Sequence, residues 1–104
     1  GCLIQNINIG NAKKAVSTFF KFKDTQKEFK PNLIKNIKGS NCEIVLSTYS
    51  KFNIIKNIQG KNSGRVIALM NTNATRNVIS APEADISTPG KSPINTLMKL
   101  NKIE

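Results

Sequence analysis

The sequence predicts an all-β domain, a sandwich or small barrel of short strands with one short helical insert. Three observations carry this expectation. Apolar residues alternate with period two over most of the chain, Gly/Asn turn signals separate the alternating stretches, and a helix-start signal occurs only between Asp24 and Gly39. About seven short strands in a chain of this length suit a sandwich.

Leu3 to Ile9 reads as the first strand, with Leu3, Ile7 and Ile9 on one face. Gly10-Asn11 is a turn signal. Ala15 to Lys23 reads as the second strand: Val16, Phe20 and Phe22 share a face, while Ser17, Lys21 and Lys23 face away. Asp24 caps the expected helix, with Glu28 in its first turn and Phe29 inward. Pro31 ends or interrupts it; Leu33, Ile34 and Ile37 then supply another apolar edge, and Gly39 marks a stop. Cys42, Ile44 and Leu46 then alternate with Glu43 and Ser47, and Phe52, Ile54 and Ile58 resume after a break near Ser50. Val66 to Met70 is a continuous apolar run, as expected of a central strand covered on both faces. Ser80 to Pro93, with Pro82, Pro89, Gly90 and Pro93, reads as a long loop, because proline cannot donate to a ladder. Ile94, Met98 and Leu100 read as a last strand. No internal repeat is read.

The chain has 104 residues, enough for one domain spanning 1–104. Its formal net charge is +10, from 16 basic and 6 acidic residues, which favours anionic partners such as nucleic acid, lipid headgroups or an acidic protein. The lysines are dispersed with no run of five, a pattern that more often serves solubility than a binding stripe. No segment reaches the 18 apolar residues of a membrane-spanning helix.

Catalytic signals are sparse. There is no histidine, which removes the commonest general base and metal ligand. Cys2 and Cys42 are too far apart for a zinc motif, and Glu83 and Asp85 lie in the proline-bounded loop with no apolar cradle. Ser40, Ser47 and Ser50 have no base to activate them, and Gly60 to Gly64 lacks phosphate-loop spacing. These residues argue against an enzyme, a metal site or a bound cofactor. Phe19, Phe20 and Phe22, interleaved with Lys21 and Lys23, suggest single-stranded nucleic-acid binding as an alternative class, although only Phe19 is expected to face outward.

Gly1-Cys2 is the pattern around a bacterial lipoprotein cleavage site, where the cysteine thiol is lipidated. On that reading Cys2 carries a covalent lipid of the palmitate type and the domain hangs from a membrane. A Cys2–Cys42 disulfide would exclude it, since one thiol cannot do both. Cys42, within an apolar strand pattern, reads as a small buried hydrophobe.

Taken in order, these pieces resemble the outer-membrane lipoproteins of type VI secretion systems, the TssJ (SciN) type, and most resemble those of pathogenicity-island systems linked to virulence. The resemblance rests on Cys2, on "VSTFFKFKD" (Val16 to Asp24), on "CEIVLSTYSKFNII" (Cys42 to Ile55) and on "GRVIALMNTNATR" (Gly64 to Arg76). It implies a transthyretin-like β-sandwich, lipid-anchored through Cys2 at the periplasmic face of the outer membrane, with no catalysis. The implied partner is the periplasmic region of the large TssM-type (PdpB-like) inner-membrane component, joined in a trans-envelope membrane complex. No nucleic acid is expected as a partner on that reading. The loop between the first two strands, Asn11, Ala12, Lys13 and Lys14, is the implied partner-binding segment, with the proline-rich loop from Ser80 to Pro93 as its rival. The chain departs from the family in having no tryptophan near Arg76 and in the shortness of that loop.

Overall fold

The computed structural model describes residues 2–19, 30–71, 73–81, 84–88 and 99–104. Among the described residues nine strands form in chain order: β1 Leu3–Gly10, β2 Lys14–Thr18, β3 Asn32–Ser40, β4 Ile44–Thr48, β5 Asn53–Lys61, β6 Arg65–Leu69, β7 Val78–Ser80, β8 Ile86–Ser87 and β9 Lys102–Ile103. Odd-numbered strands make one sheet in the order β1-β3-β5-β7-β9, and even-numbered strands make the other in the order β2-β4-β6-β8. Every pairing is parallel. Consecutive strands therefore never pair with each other: the chain passes from one sheet to the other and returns one rung further on. This is a β-solenoid, a stack of coils in which each coil contributes a strand to each sheet.

The all-β expectation holds, but the sandwich does not form. A transthyretin-like sandwich pairs its strands antiparallel within each sheet, and here successive strands are rungs of a parallel stack. Leu33, Ile34, Ile37 and Gly39, read as an apolar edge and a stop after Pro31, belong to β3, while the expected helix from Asp24 to Phe29 lies outside the described residues. Local alternation cannot separate the two all-β architectures, because an inward–outward strand looks the same in both.

The stack is also a repeat. Cys2, Asn32, Asn53, Asn77 and Asn101 occupy one position in successive coils, spaced by 30, 21, 24 and 24 residues. From Asn32 onward this position is a buried asparagine ladder. The Asn53 side-chain amide donates to Asn77 Oδ1 at 2.8 Å, and that of Asn77 donates to Asn101 Oδ1 at 3.0 Å. The same oxygens accept the backbone N–H groups of Asn53 and Asn77, both at 2.9 Å. Each buried amide thus closes the chain turn beside it, and among the described residues no buried side-chain nitrogen or oxygen lacks a partner.

Two further asparagine ladders run along exposed corners. Asn6, Asn36 and Asn57 have φ near +54° to +58°, and Asn36 and Asn57 each donate to the preceding asparagine at 3.0 and 2.9 Å. Asn11, Asn41 and Asn62 repeat the arrangement at 3.2 and 2.7 Å. Asparagine tolerates the left-handed region better than other side-chain-bearing residues, so it suits a one-residue corner. At the first corner the pairing skips a residue, passing from Gln5↔Lys35 to Ile7↔Ile37, and the strand bends there. The bend resets the inward–outward phase. Ile34 and Ile37, three apart, both point inward and are fully buried, as are Ile55 and Ile58. In β1 the inward residues are Ile4 and Ile7, and Leu3, assigned above to the same face as Ile7, is 57% exposed. Likewise Ile54 is only half-buried while Ile55 is inside.

The core between the sheets is built from Ile34, Ile37, Cys42, Val45, Leu46, Ile55, Ile58, Ile67, Leu69 and Ile79. Cys42 is buried as expected, and Cys2 and Cys42 are both free. β4 is buried along its whole length, including Ser47, read above as outward; its hydroxyl donates to Ser17 at 2.9 Å. β6 is central in its sheet, as its continuous apolar run suggests. β8 lies inside the segment read as a loop, and Leu100, read as part of the last strand, precedes β9 and is half exposed. Phe20, Phe22, Pro82, Glu83, Pro89, Gly90, Pro93, Ile94 and Met98 lie outside the described residues.

Candidate anion-binding face

The coils gather lysines that are scattered in the sequence. Lys35 and Lys56 are register partners on β3 and β5, so their Cα atoms lie one inter-strand spacing apart, about 4.8 Å. Beyond the Asn6/Asn36/Asn57 corner, Lys38 pairs with Gln59 and with Asn8, and Lys61 pairs with Ser40. Lys38, Lys56 and Lys61 are exposed and Lys35 is half-buried. The three strands that make this sheet region, β1, β3 and β5, contain no aspartate or glutamate. Among the described residues no carboxylate pairs with these lysines, and the low-dielectric wall beneath them strengthens their field outward.

Between the two asparagine corners the face carries two adjoining depressions. One, of about 320 Å³, is lined by Asn8, Lys38, Gly39, Ser40, Gln59, Gly60 and Lys61. The other, of about 210 Å³, is lined by Asn6, Ile7, Asn8, Asn36, Lys38 and Asn57. Lys38 and Asn8 belong to both. The lining combines two ammonium groups with amide and hydroxyl donors, the set that suits carboxylate, sulfate or phosphate oxygens. Nothing in it supplies a general base or a nucleophile with an activating partner.

The residues singled out from sequence have other surroundings. Asn11 is an exposed corner: its Oδ1 accepts from Asn41, and its backbone N–H donates to Ser40 O at 2.8 Å. Ala12 packs half-buried against the core, and its carbonyl accepts from Glu43 N. Lys13 is exposed, and the Lys14 ammonium donates to the Tyr49 hydroxyl at 2.8 Å. The segment is thus a coil corner with two exposed lysines. Cys2 is exposed; its backbone N–H donates to Asn32 Oδ1 at 2.8 Å and its carbonyl accepts from Leu33 N. Phe19 is 65% exposed, as expected, with its ring edge-on to Tyr49 at 6.1 Å. Arg76 lies with its guanidinium 5.6 Å from the Phe52 ring centroid. Asp85 is exposed, and among the described residues no three His, Cys, Asp or Glu side chains come together as a metal site. No described helix is long and apolar enough to cross a membrane.

Lys38, Lys61, Gln59 and Asn8 were not candidates on sequence grounds. The signal that marks them is Asn-Ile-x-Gly-x-Asn, present as Asn36 to Asn41 and Asn57 to Asn62, and in a variant form as Asn6 to Asn11. Its fourth and sixth residues fix the glycine floor and the corner, and its variable positions face outward.

No family model matches the chain, and no curated protein or solved structure is significantly similar to it.

Proposed function

We propose that the chain is a non-catalytic binding module: a rigid β-solenoid that holds an anionic polymer against the face formed by β1, β3 and β5. The observation that supports this is the acid-free lysine set, Lys35, Lys38, Lys56 and Lys61, around depressions lined with amide donors. Binding by such a face is electrostatic and weakens as salt shortens the Debye length. The test is titration with dextran sulfate at several salt concentrations. Binding should fall steeply with salt, and Lys38→Glu/Lys61→Glu should weaken it by about tenfold or more, equivalent to roughly 1.4 kcal/mol. Lys99→Glu/Lys102→Glu, with the same charge change at a distant place, should weaken it far less. Equal losses in the two double variants would mean that net charge alone is responsible. Preferential binding of single-stranded DNA that depends on Phe19 would favour the nucleic-acid alternative.

A second reading places the module at the periplasmic face of the outer membrane, lipid-anchored through Cys2 and joined to a TssM-type component. The observation in its favour is the exposed, free Cys2. The transthyretin-like sandwich implied by the secretion-system resemblance does not match the coil architecture, so this reading rests on Cys2 alone. Labelling with a palmitate analogue in cells should mark the protein, and Cys2→Ser should abolish both the label and membrane fractionation. An unlabelled soluble wild type would remove it.

A further inference from the structure

The lysines of the β1, β3 and β5 face do not stand alone. Lys38 and Lys61 share the lining of the larger depression with Asn8, Ser40 and Gln59. The smaller depression sets Asn6, Asn36 and Asn57 around Lys38. These side chains belong to the outer face of the sheet, and Asn8, Lys38 and Lys61 are exposed there.

Amides and ammonium groups recognise different things. An ammonium only donates, whereas an amide donates through nitrogen and accepts through oxygen. One N–H of Gln59 is already engaged: Nε2 donates to Asn57 Oδ1 at 3.0 Å, which holds the side chain in place. Among the described residues nothing donates to Gln59 Oε1, and the Asn8 side chain makes no hydrogen bond. An open acceptor thus stands in the same depression as two cations. A polyanion whose oxygens only accept, such as polyphosphate or a sulfated chain without hydroxyls, cannot use that oxygen and is repelled by it. A chain that carries hydroxyl groups beside its acidic groups satisfies both the oxygen and the lysines. Single-stranded nucleic acid also carries donors, but its bases are held by stacking on aromatic rings, and β1, β3 and β5 contain no aromatic residue.

We infer that the polymer held on this face is an acidic polysaccharide, with sulfate or carboxylate groups at Lys38 and Lys61 and ring hydroxyls at Gln59, Asn8 and the corner asparagines. The inference rests on the anion-binding reading proposed above and narrows its ligand class. The corner amides are set before the ligand arrives: Asn57 donates to Asn36 at 2.9 Å and Asn36 to Asn6 at 3.0 Å. Groups already held in place lose less entropy on binding, so the hydroxyl contacts add affinity as well as selectivity.

Calorimetric titration at one low salt concentration tests the inference, with chondroitin sulfate as the hydroxyl-bearing polymer and poly(vinyl sulfate) as the hydroxyl-free one. Their charge densities differ, so each variant is compared with the wild type on the same polymer. Asn8→Ala/Gln59→Ala keeps every lysine; it should weaken chondroitin sulfate binding by about tenfold or more and leave poly(vinyl sulfate) binding within about twofold. Lys38→Glu/Lys61→Glu should weaken both. Thermal melting establishes that the variants are folded. Asn8→Ala alone, which has no side-chain hydrogen bond to lose, should show the same selectivity to a smaller degree. A parallel loss with hyaluronan, which carries carboxylate and no sulfate, assigns the carboxylate as the anchoring group; a loss with chondroitin sulfate alone assigns the sulfate. Equal effects of Asn8→Ala/Gln59→Ala on the two sulfated polymers, or none on chondroitin sulfate, would overturn the polysaccharide inference and leave the anion-binding face standing. A wild type that binds neither sulfated polymer would overturn both.

Discussion

Gly39 and Val45 share one pocket between the sheets, and only one of them can be large. A Cβ added to Gly39 would lie 2.7 Å from Val45 Cγ2, 3.0 Å from Cγ1 and 3.3 Å from Cβ. Carbon atoms pack at about 3.5–4.0 Å, so the nearest contact is short by roughly 0.8 Å or more. Val45 is fully buried and β-branched, and has few rotamers into which it could retreat. Overpacking of this kind costs roughly 1–3 kcal/mol. Gly39 does not use positive φ, so Gly39→Ala also gains roughly 0.4–1 kcal/mol through the unfolded chain. The net expectation for Gly39→Ala is a loss of about 1–2 kcal/mol, or several degrees in Tm at roughly 4–8 °C per kcal/mol. The other coils indicate the remedy. The register positions of this pair are Ile9 with Ala15 in the first coil and Gly60 with Val66 in the third. The larger residue of the pair thus stands on the odd-numbered strand in the first coil and on the even-numbered strand in the next two. Val45→Ala alone should lose about 1–3 kcal/mol, and the double variant should lose less than the sum of the singles by at least about 1 kcal/mol. Urea unfolding of the four proteins measures this cycle. Strict additivity, or a Gly39→Ala variant as stable as the parent, would refute the shared-pocket argument.

Other expectations come from the ladders and turns. Asn77→Ala removes the oxygen that accepts from both the backbone N–H and the side-chain amide of Asn53; the amide keeps Ser50 Oγ at 3.1 Å, but the buried backbone N–H is left unpaired. Urea denaturation should show a loss of roughly 1–3 kcal/mol, a large share of a marginal domain's stability. Gly64→Ala would place a Cβ 2.9 Å from the Glu43 carbonyl oxygen, a backbone atom held by the Arg65 N–H at 2.9 Å. A loss of roughly 1–3 kcal/mol is expected by thermal or urea melting. At the corner, Asn36→Ala should be less stable than Asn36→Gly by about 1–2 kcal/mol, because alanine is strained at φ 57° and glycine is not; equal stabilities would mean that the corner relaxes.

Strand content was legible because side-chain alternation is local. The pattern found β1, and it found β4, β5 and β6 to within a few residues. The partnering of the strands was not legible, since parallel coils and antiparallel layers impose the same period of two. The repeat could have separated them, but it is masked by unequal spacing: the corner asparagines Asn6, Asn36 and Asn57 are 30 and then 21 residues apart. β3 was lost for a related reason. Lys35-Asn36 sits between two inward isoleucines three residues apart, a helix-like spacing that a left-handed corner residue produces in a strand. The candidate face was hidden in the same way. Lys35 and Lys56, or Lys38 and Lys61, are near neighbours only once the coil length is known, so a search for charge runs passes over them. Cys42, by contrast, was readable as a buried small residue from its immediate neighbours alone.

Backbone NOEs in a 15N-labelled sample test the coiled-stack architecture most directly. The account predicts parallel-type amide–Hα contacts between β3 and β5, with Ile37 beside Ile58, and between β4 and β6, with Leu46 beside Ile67. Hα–Hα contacts between successive strands, β3 with β4 or β5 with β6, would be those of an antiparallel sandwich and would contradict it.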